Sequence, residues 1–274
     1  PPMSKLLKGY LDPKISRVQE FYDQGGEWDR KDRHPVEFAV TERILGEYLP
    51  SPPARLLDMG GGPGRYAFHL QQKGYAVTLA DLSSANIAFA QAKSQELKVS
   101  LENYLVHDAT QPIPFEQNTF DAVLLMGPLY HLTTHELRLT AVQNALDVLK
   151  PRGVLFAAFI TMFGALRSIV LGAPNQLPAE WRTMKDGLND ANLGFTEAYF
   201  ARVNEIESLM EEAGCEYVEM IGCEGFSVIA EQSFVETQMD DDVWQQWVDL
   251  NLEFGRHRTA VEASDHILYV ARKP

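Results

Sequence analysis

The chain has 274 residues, 45% of them hydrophobic and 23% charged, which is enough for one large unit or for a core with a substantial cap. No apolar run approaches the roughly 20 residues that span a bilayer, and no signal-peptide pattern opens the chain, so a cytoplasmic protein with no membrane partner is expected. The net charge of −14 is uneven, because residues 203–255 hold fourteen Asp or Glu and no Lys or Arg, while the rest carries 24 acidic and 24 basic residues. Such a segment repels a polyanion, so no nucleic-acid partner is expected. It reads as a solvated face or as a bias toward neutral or cationic small substrates.

In chain order, strands are predicted at 54–58, 75–80, 103–107, 120–126, 154–160, 216–221 and 266–272. Most are short apolar runs of the kind buried on both faces of a parallel sheet. Helices alternate with them. Pro35 opens a stripe of Val36, Val40, Ile44 and Tyr48. Ser83 or Ser84 caps a helix running to about Leu97. Thr133 with Glu136 resembles a capping box before Leu137, Ala141, Ala145 and Leu149. Lys150-Pro151-Arg152-Gly153 then reads as a turn into the next strand.

This alternation predicts an α/β fold with a doubly wound, mostly parallel, seven-stranded sheet, whose ligands sit at the carboxyl ends of the strands. Residues 161–201 and 223–264 are too long for simple connections. With 1–34 they are expected to form a helical cap or lid around a core of about 35–160, 202–222 and 265–274. All four tryptophans (Trp28, Trp181, Trp244 and Trp247) fall in these cap segments. The face formed by Val243, Trp244, Trp247, Val248, Asn251 and Phe254 packs in the core or lid, or else makes an aromatic wall that favours an amine acceptor. Cys215 and Cys223 would lie about 25 Å apart along a straight strand, so they are read as unbridged, buried thiols.

The most informative stretch is Leu56-Leu57-Asp58-Met59-Gly60-Gly61-Gly62-Pro63-Gly64-Arg65. A strand ends in an acidic residue, and a glycine-dense turn feeds a helix whose first N–H groups are unpaired. It reads as a cradle for part of a nucleotide-like cofactor. The dinucleotide pattern G-x-G-x-x-G fails, because Arg65 falls on the sixth position from Gly60 and Pro63 on the third from Gly61. That argues against a nicotinamide-dependent oxidoreductase.

What stands is Asp58-x-Gly60-x-Gly62-x-Gly64, joined by Asp81 at the end of the second strand, His107-Asp108-Ala109 after the third, and Gly127-Pro128-Leu129-Tyr130-His131-Leu132 after the fourth. Together these resemble the class I S-adenosylmethionine-dependent methyltransferases. The N-terminal stretch from Phe21-Tyr22-Asp23 to Phe38 further resembles a bacterial group acting on small molecules. The resemblance implies S-adenosyl-L-methionine as cofactor, with S-adenosyl-L-homocysteine as product, and methyl transfer to a small-molecule acceptor by in-line displacement. It assigns Asp58, Gly60 and Gly62 to the cofactor's amino-acid end, Asp81 to the ribose and Asp108 to the adenine, with Gly64, Leu82, Ala109 and Gly127 as further cofactor-binding residues. Tyr22 and Arg33 would close over the cofactor. Tyr130 and His131 fall where the acceptor meets the methyl group, as a base or as packing. A non-catalytic cofactor sensor or partner-binding module would keep the same pocket. His131 with His135, and Asp240 to Asp242, are weak metal patterns, and no metal is expected.

Overall fold

A computed structural model describes residues 13–29, 34–172, 174–176, 178, 185–190, 195–227 and 239–274. All seven predicted strands form, in one sheet: β1 (Arg55–Met59), β2 (Ala76–Asp81), β3 (Asn103–Val106), β4 (Phe120–Leu125), β5 (Leu149–Ile160), β8 (Glu216–Gly222) and β9 (His266–Arg272). Their order is β3-β2-β1-β4-β5-β9-β8. Every neighbouring pair is parallel except those made by β9, which runs antiparallel to β5 and β8. A separate two-stranded ladder pairs β6 (Leu188–Asn189) with β7 (Ala198–Tyr199).

Alternate strand residues feed two cores, because successive side chains point to opposite faces. Leu57, Val123 and Leu155 join one cluster, with Ala141 and Ala145 of α5 (His135–Val148) and Ile206 and Met210 of α7 (Val203–Glu212). Leu56, Leu124 and Phe156 join the other, with Val36 and Val40 of α2 (Pro35–Tyr48), Phe68 of α3 (Arg65–Gln72) and Ala90 of α4 (Ser84–Leu97). The sheet is therefore wound on both sides. The strand order reverses between the parallel neighbours β1 and β4, which opens a crevice at the carboxyl ends of those strands.

Three local readings shift. Thr134, not Thr133, caps α5, accepting from Leu137 N at 3.3 Å. The predicted turn at 150–153 is a bulge inside β5. Leu149 pairs with Phe120 and Val154 with Ala122, and Arg152 sits between at φ 63°, since Pro151 has no N–H for the ladder. Of the tryptophans, Trp244 and Trp247 of α8 (Asp241–Gly255) pack with the α2 side of the core, and Trp28 meets Phe68 edge-on and Phe89 at a tilt. None of these three lines the central cleft, so they form no substrate-facing wall. Trp181 lies outside the described residues. Among the described residues no helix is long and apolar enough to cross a membrane.

Candidate active site

One cleft runs along the carboxyl ends of the strands. It holds about 1230 Å³ of free space, counting its open mouth. Asp81, Leu82, Asp108 and Ala109 line the end formed by β2 and β3. Asp58, Gly60, Gly62 and Gly127 line the middle, and Ala158, Leu268 and His266 line the end formed by β5 and β9. Ile15, Val18, Gln19 and Tyr22 of α1 (Pro13–Tyr22) form a further wall.

The middle is built by two turns pressed together. A Cβ on Gly127 would stand 2.2 Å from the Gly60 carbonyl oxygen, so no larger residue fits there. Gly62 has φ 58°, and a Cβ on it would meet only Asn86 Nδ2, at 3.9 Å. Gly64 does not line the cleft. It is the left-handed residue that starts α3, facing Leu79 and Phe68 from beneath the turn.

Asp58 is 2% exposed, and its Oδ2 has no hydrogen-bond partner among the described residues. Burial, then the charge of Asp81, pushes its carboxyl up to about 7, partly offset by Arg65 and the Ala67 N–H. An unsatisfied buried acceptor of this kind calls for a donor or cation from a ligand. The ammonium of an amino-acid moiety fits that need, and the bare main chain at Gly62 fits its close approach.

Asp81 is already engaged. Its Oδ2 accepts from Gly62 N at 2.8 Å, and its Oδ1 accepts from Ser83 N at 2.9 Å and Asn86 Nδ2 at 3.1 Å. Burial raises its pKa, and these three donors oppose the shift. A carboxylate has about four acceptor positions, which leaves room for a ribose hydroxyl. Asp108 Oδ1 accepts from Thr110 N at 2.9 Å and Thr110 Oγ1 at 2.8 Å, so it orders its own turn while facing the cleft.

Tyr130 and His131 occupy a single 3-10 turn after β4, and both are buried. His131 Nδ1 is 3.0 Å from the Glu197 carbonyl oxygen, and Nε2 is 2.7 Å from the Tyr22 hydroxyl. A carbonyl oxygen only accepts, so Nδ1 carries the hydrogen, and in the neutral ring Nε2 accepts from Tyr22. The α1 segment is tied down twice more, by Arg17 to Glu197 at 2.5 Å and by Ser83 Oγ to Asp23 Oδ1 at 2.5 Å. Arg33 lies outside the described residues. His135 points away to Glu212, at 2.8 Å.

Sequence reasoning missed the residues at the β9 end of the cleft. Glu37, Thr41, Cys223 and His266 line it, and Glu224 sits behind them. Cys223 is a buried, free thiol as expected, but it is a cleft wall rather than only core, and Cys215 is free and partly buried. Only the position of Glu37, three residues after His34 in the motif-bearing N-terminal stretch, hinted at any of these.

A family model described as a methyltransferase domain matches residues 57–157. The tRNA 5-carboxymethoxyuridine methyltransferase of Escherichia coli is 24% identical over 244 residues, covering 88% of each chain. A ubiquinone biosynthesis O-methyltransferase of Dinoroseobacter shibae is 28% identical over 191 residues, covering 67% of this chain and 71% of that one. In fold, the chain is similar to geranyl diphosphate C-methyltransferase from Streptomyces coelicolor, solved with S-adenosyl-L-homocysteine. The TM-score is 0.61 at 13% identity, covering 96% of this chain and 99% of that one.

The sheet order and glycine turn are those of the class I methyltransferase fold, and residues 57–157 match a methyltransferase domain. The chain is an S-adenosylmethionine-dependent methyltransferase, and its reaction requires a methyl acceptor.

Proposed function

We propose that the acceptor is a small molecule held within the cleft. The observation that carries this is the wall made by α1, whose Tyr22 hydroxyl meets His131 at 2.7 Å, enclosing the space beside Gly127. Exclusion of water around a reacting pair suits a small acceptor. The run 203–255, rich in Asp and Glu and without Lys or Arg, supports the same reading, because it disfavours a polyanion.

The bound cofactor supplies a sulfonium methyl group open to in-line attack. In this reading Asp58 takes the cofactor's ammonium, and the main chain at Gly60 and Gly62 lets the amino-acid end approach. Gly64 shapes that turn. Asp81 and Leu82 hold the ribose, Asp108 and Ala109 the adenine edge, and Gly127 the floor. Arg33 meets the cofactor's carboxylate. Tyr130 packs beside the acceptor. Where the acceptor must lose a proton, the Tyr22 oxygen takes it and passes its own to His131 Nε2. The segments at about 1–34, 161–201 and 223–264 act as a cap that selects the acceptor.

A second reading, an RNA acceptor, is favoured by the similarity to the tRNA methyltransferase. Incubating the protein with methyl-tritiated cofactor and either bulk tRNA or a small-molecule cell extract separates the two. Label in the small-molecule fraction alone is expected. Label in tRNA overturns the proposal.

A further inference from the structure

Glu37, Glu224 and His266 come from three separate places: the first turn of α2, the loop after β8 and the first residue of β9. One ligand-type atom from each lies within 4.8 Å of the other two. Two atoms bound to one ion at about 2.1 Å stand no more than about 4.2 Å apart, so small side-chain adjustments bring all three onto one centre.

The site is built rather than incidental. Glu224 and Ser264 are both 0% exposed. Glu224 Oε2 accepts from Ser264 Oγ at 3.0 Å and from His266 N at 2.9 Å, while Oε1 meets His266 Nδ1. Ser264 Oγ in turn accepts from Glu224 N at 3.1 Å and Gly225 N at 3.0 Å. Such supporting bonds orient metal-ligating carboxylates. Gly222 is held equally tightly, since a Cβ there would lie 2.9 Å from Ser264 Cβ.

Sheet order locates the cluster in the reaction. Adjacent strands stand about 4.8 Å apart. From the β4 end, where Gly127 lies, β9 is two strands further on, about 10 Å away and opposite to Asp81 and Asp108. The cofactor reading occupies the β3-to-β4 stretch. Glu37 and His266 line the stretch left for the acceptor.

We propose that Glu37, Glu224 and His266 bind a divalent metal ion whose open side faces the cleft and holds an oxygen of the acceptor. Mixed imidazole and carboxylate ligation suits Mn²⁺ or Zn²⁺, and three protein ligands leave positions open for the acceptor. The inference rests on the methyltransferase reading of the cleft and narrows the acceptor to an oxygen ligand.

The test uses the full chain after chelator treatment. Mn²⁺ is titrated by electron paramagnetic resonance, and Zn²⁺ by competition with a chromogenic chelator. Binding of S-adenosyl-L-homocysteine is measured by calorimetry on the same samples. One ion per chain is expected, with at least tenfold weaker binding in Glu37→Gln and in His266→Ala and unchanged cofactor affinity in Glu37→Gln. Failure of both metals to bind at millimolar concentration overturns the metal site, as does binding that both variants leave unchanged. If the cofactor still binds in that case, the methyltransferase reading stands. Loss of both signals strikes the reading itself. Glu37 is partly exposed, and melting curves check that its variant folds.

Discussion

The Tyr22 hydroxyl lies 2.7 Å from His131 Nε2, although 109 residues separate the two. With Nδ1 committed to the Glu197 carbonyl at 3.0 Å, the neutral ring carries its hydrogen on Nδ1. Nitrogen-15 correlation spectra should show that tautomer in the wild type and also in Tyr22→Phe, since the carbonyl remains. Dominance of the Nε2–H form would remove His131 as the acceptor of Tyr22's proton. With an acceptor that must lose a proton, Tyr22→Phe should lower kcat at least tenfold, about 1.4 kcal/mol, and leave the KM for cofactor nearly unchanged.

Asp58 gives the protein a pH dependence with a definite sign. Its carboxyl is raised to about 7 in the fold, against about 3.9 in an unfolded chain. Between about pH 4 and 7 the unfolded chain ionises while the native one stays protonated. Apo stability therefore falls as pH rises through that window and levels off above it, by at most ~4 kcal/mol. An ammonium ligand favours the ionised form, so affinity for S-adenosyl-L-homocysteine should rise with pH up to about 7 and then flatten. Calorimetry of Asp58→Asn should show that rise abolished. A wild type with no pH dependence would detach Asp58 from the ligand.

Asp81 does two jobs that separate on mutation. It receives Gly62 N and Ser83 N, and it has capacity left for a ribose. Asp81→Ala should weaken cofactor binding at least tenfold, about 1.4 kcal/mol. It should also lower thermal stability, because two N–H groups lose their acceptor, at about 1–3 kcal/mol for each one left unsatisfied. Asp81→Asn keeps one acceptor oxygen and should recover most of the stability but not the affinity. Unchanged affinity in both would take Asp81 off the ribose.

The wall made by α1 depends on Arg17, whose partner Glu197 has a side chain only 3% exposed. Arg17→Ala leaves that carboxylate buried without its cation, a loss that usually costs several kcal/mol locally. Hydrogen exchange across residues 13–22 should quicken, with the protection of β1 and β4 unchanged. Exchange that does not change would show that Tyr22 and Asp23 hold the helix alone.

The sheet, its winding and the residues that line the β1-to-β4 part of the cleft were legible because each is written locally. A strand is an apolar run, its end is a glycine or an acid, and Asp58, Asp81, Asp108 and Gly127 each close their own strand. Trp244 and Trp247 show the limit of such reading, since a stripe on α8 says that a face is apolar but not what it meets. It meets α2, not the cleft. The β9 end of the cleft was illegible for the same reason. Glu37, Glu224 and His266 lie far apart in the chain and carry no shared spacing, and only the antiparallel return of β9 beside β5 brings them to one end of the cleft. The sequence by itself therefore determined the fold class and the methyl donor, both encoded in contiguous segments. Tertiary structure alone decided how Tyr22 closes on His131 and which three residues converge at the β9 end of the cleft, because long-range packing, not local pattern, sets those distances.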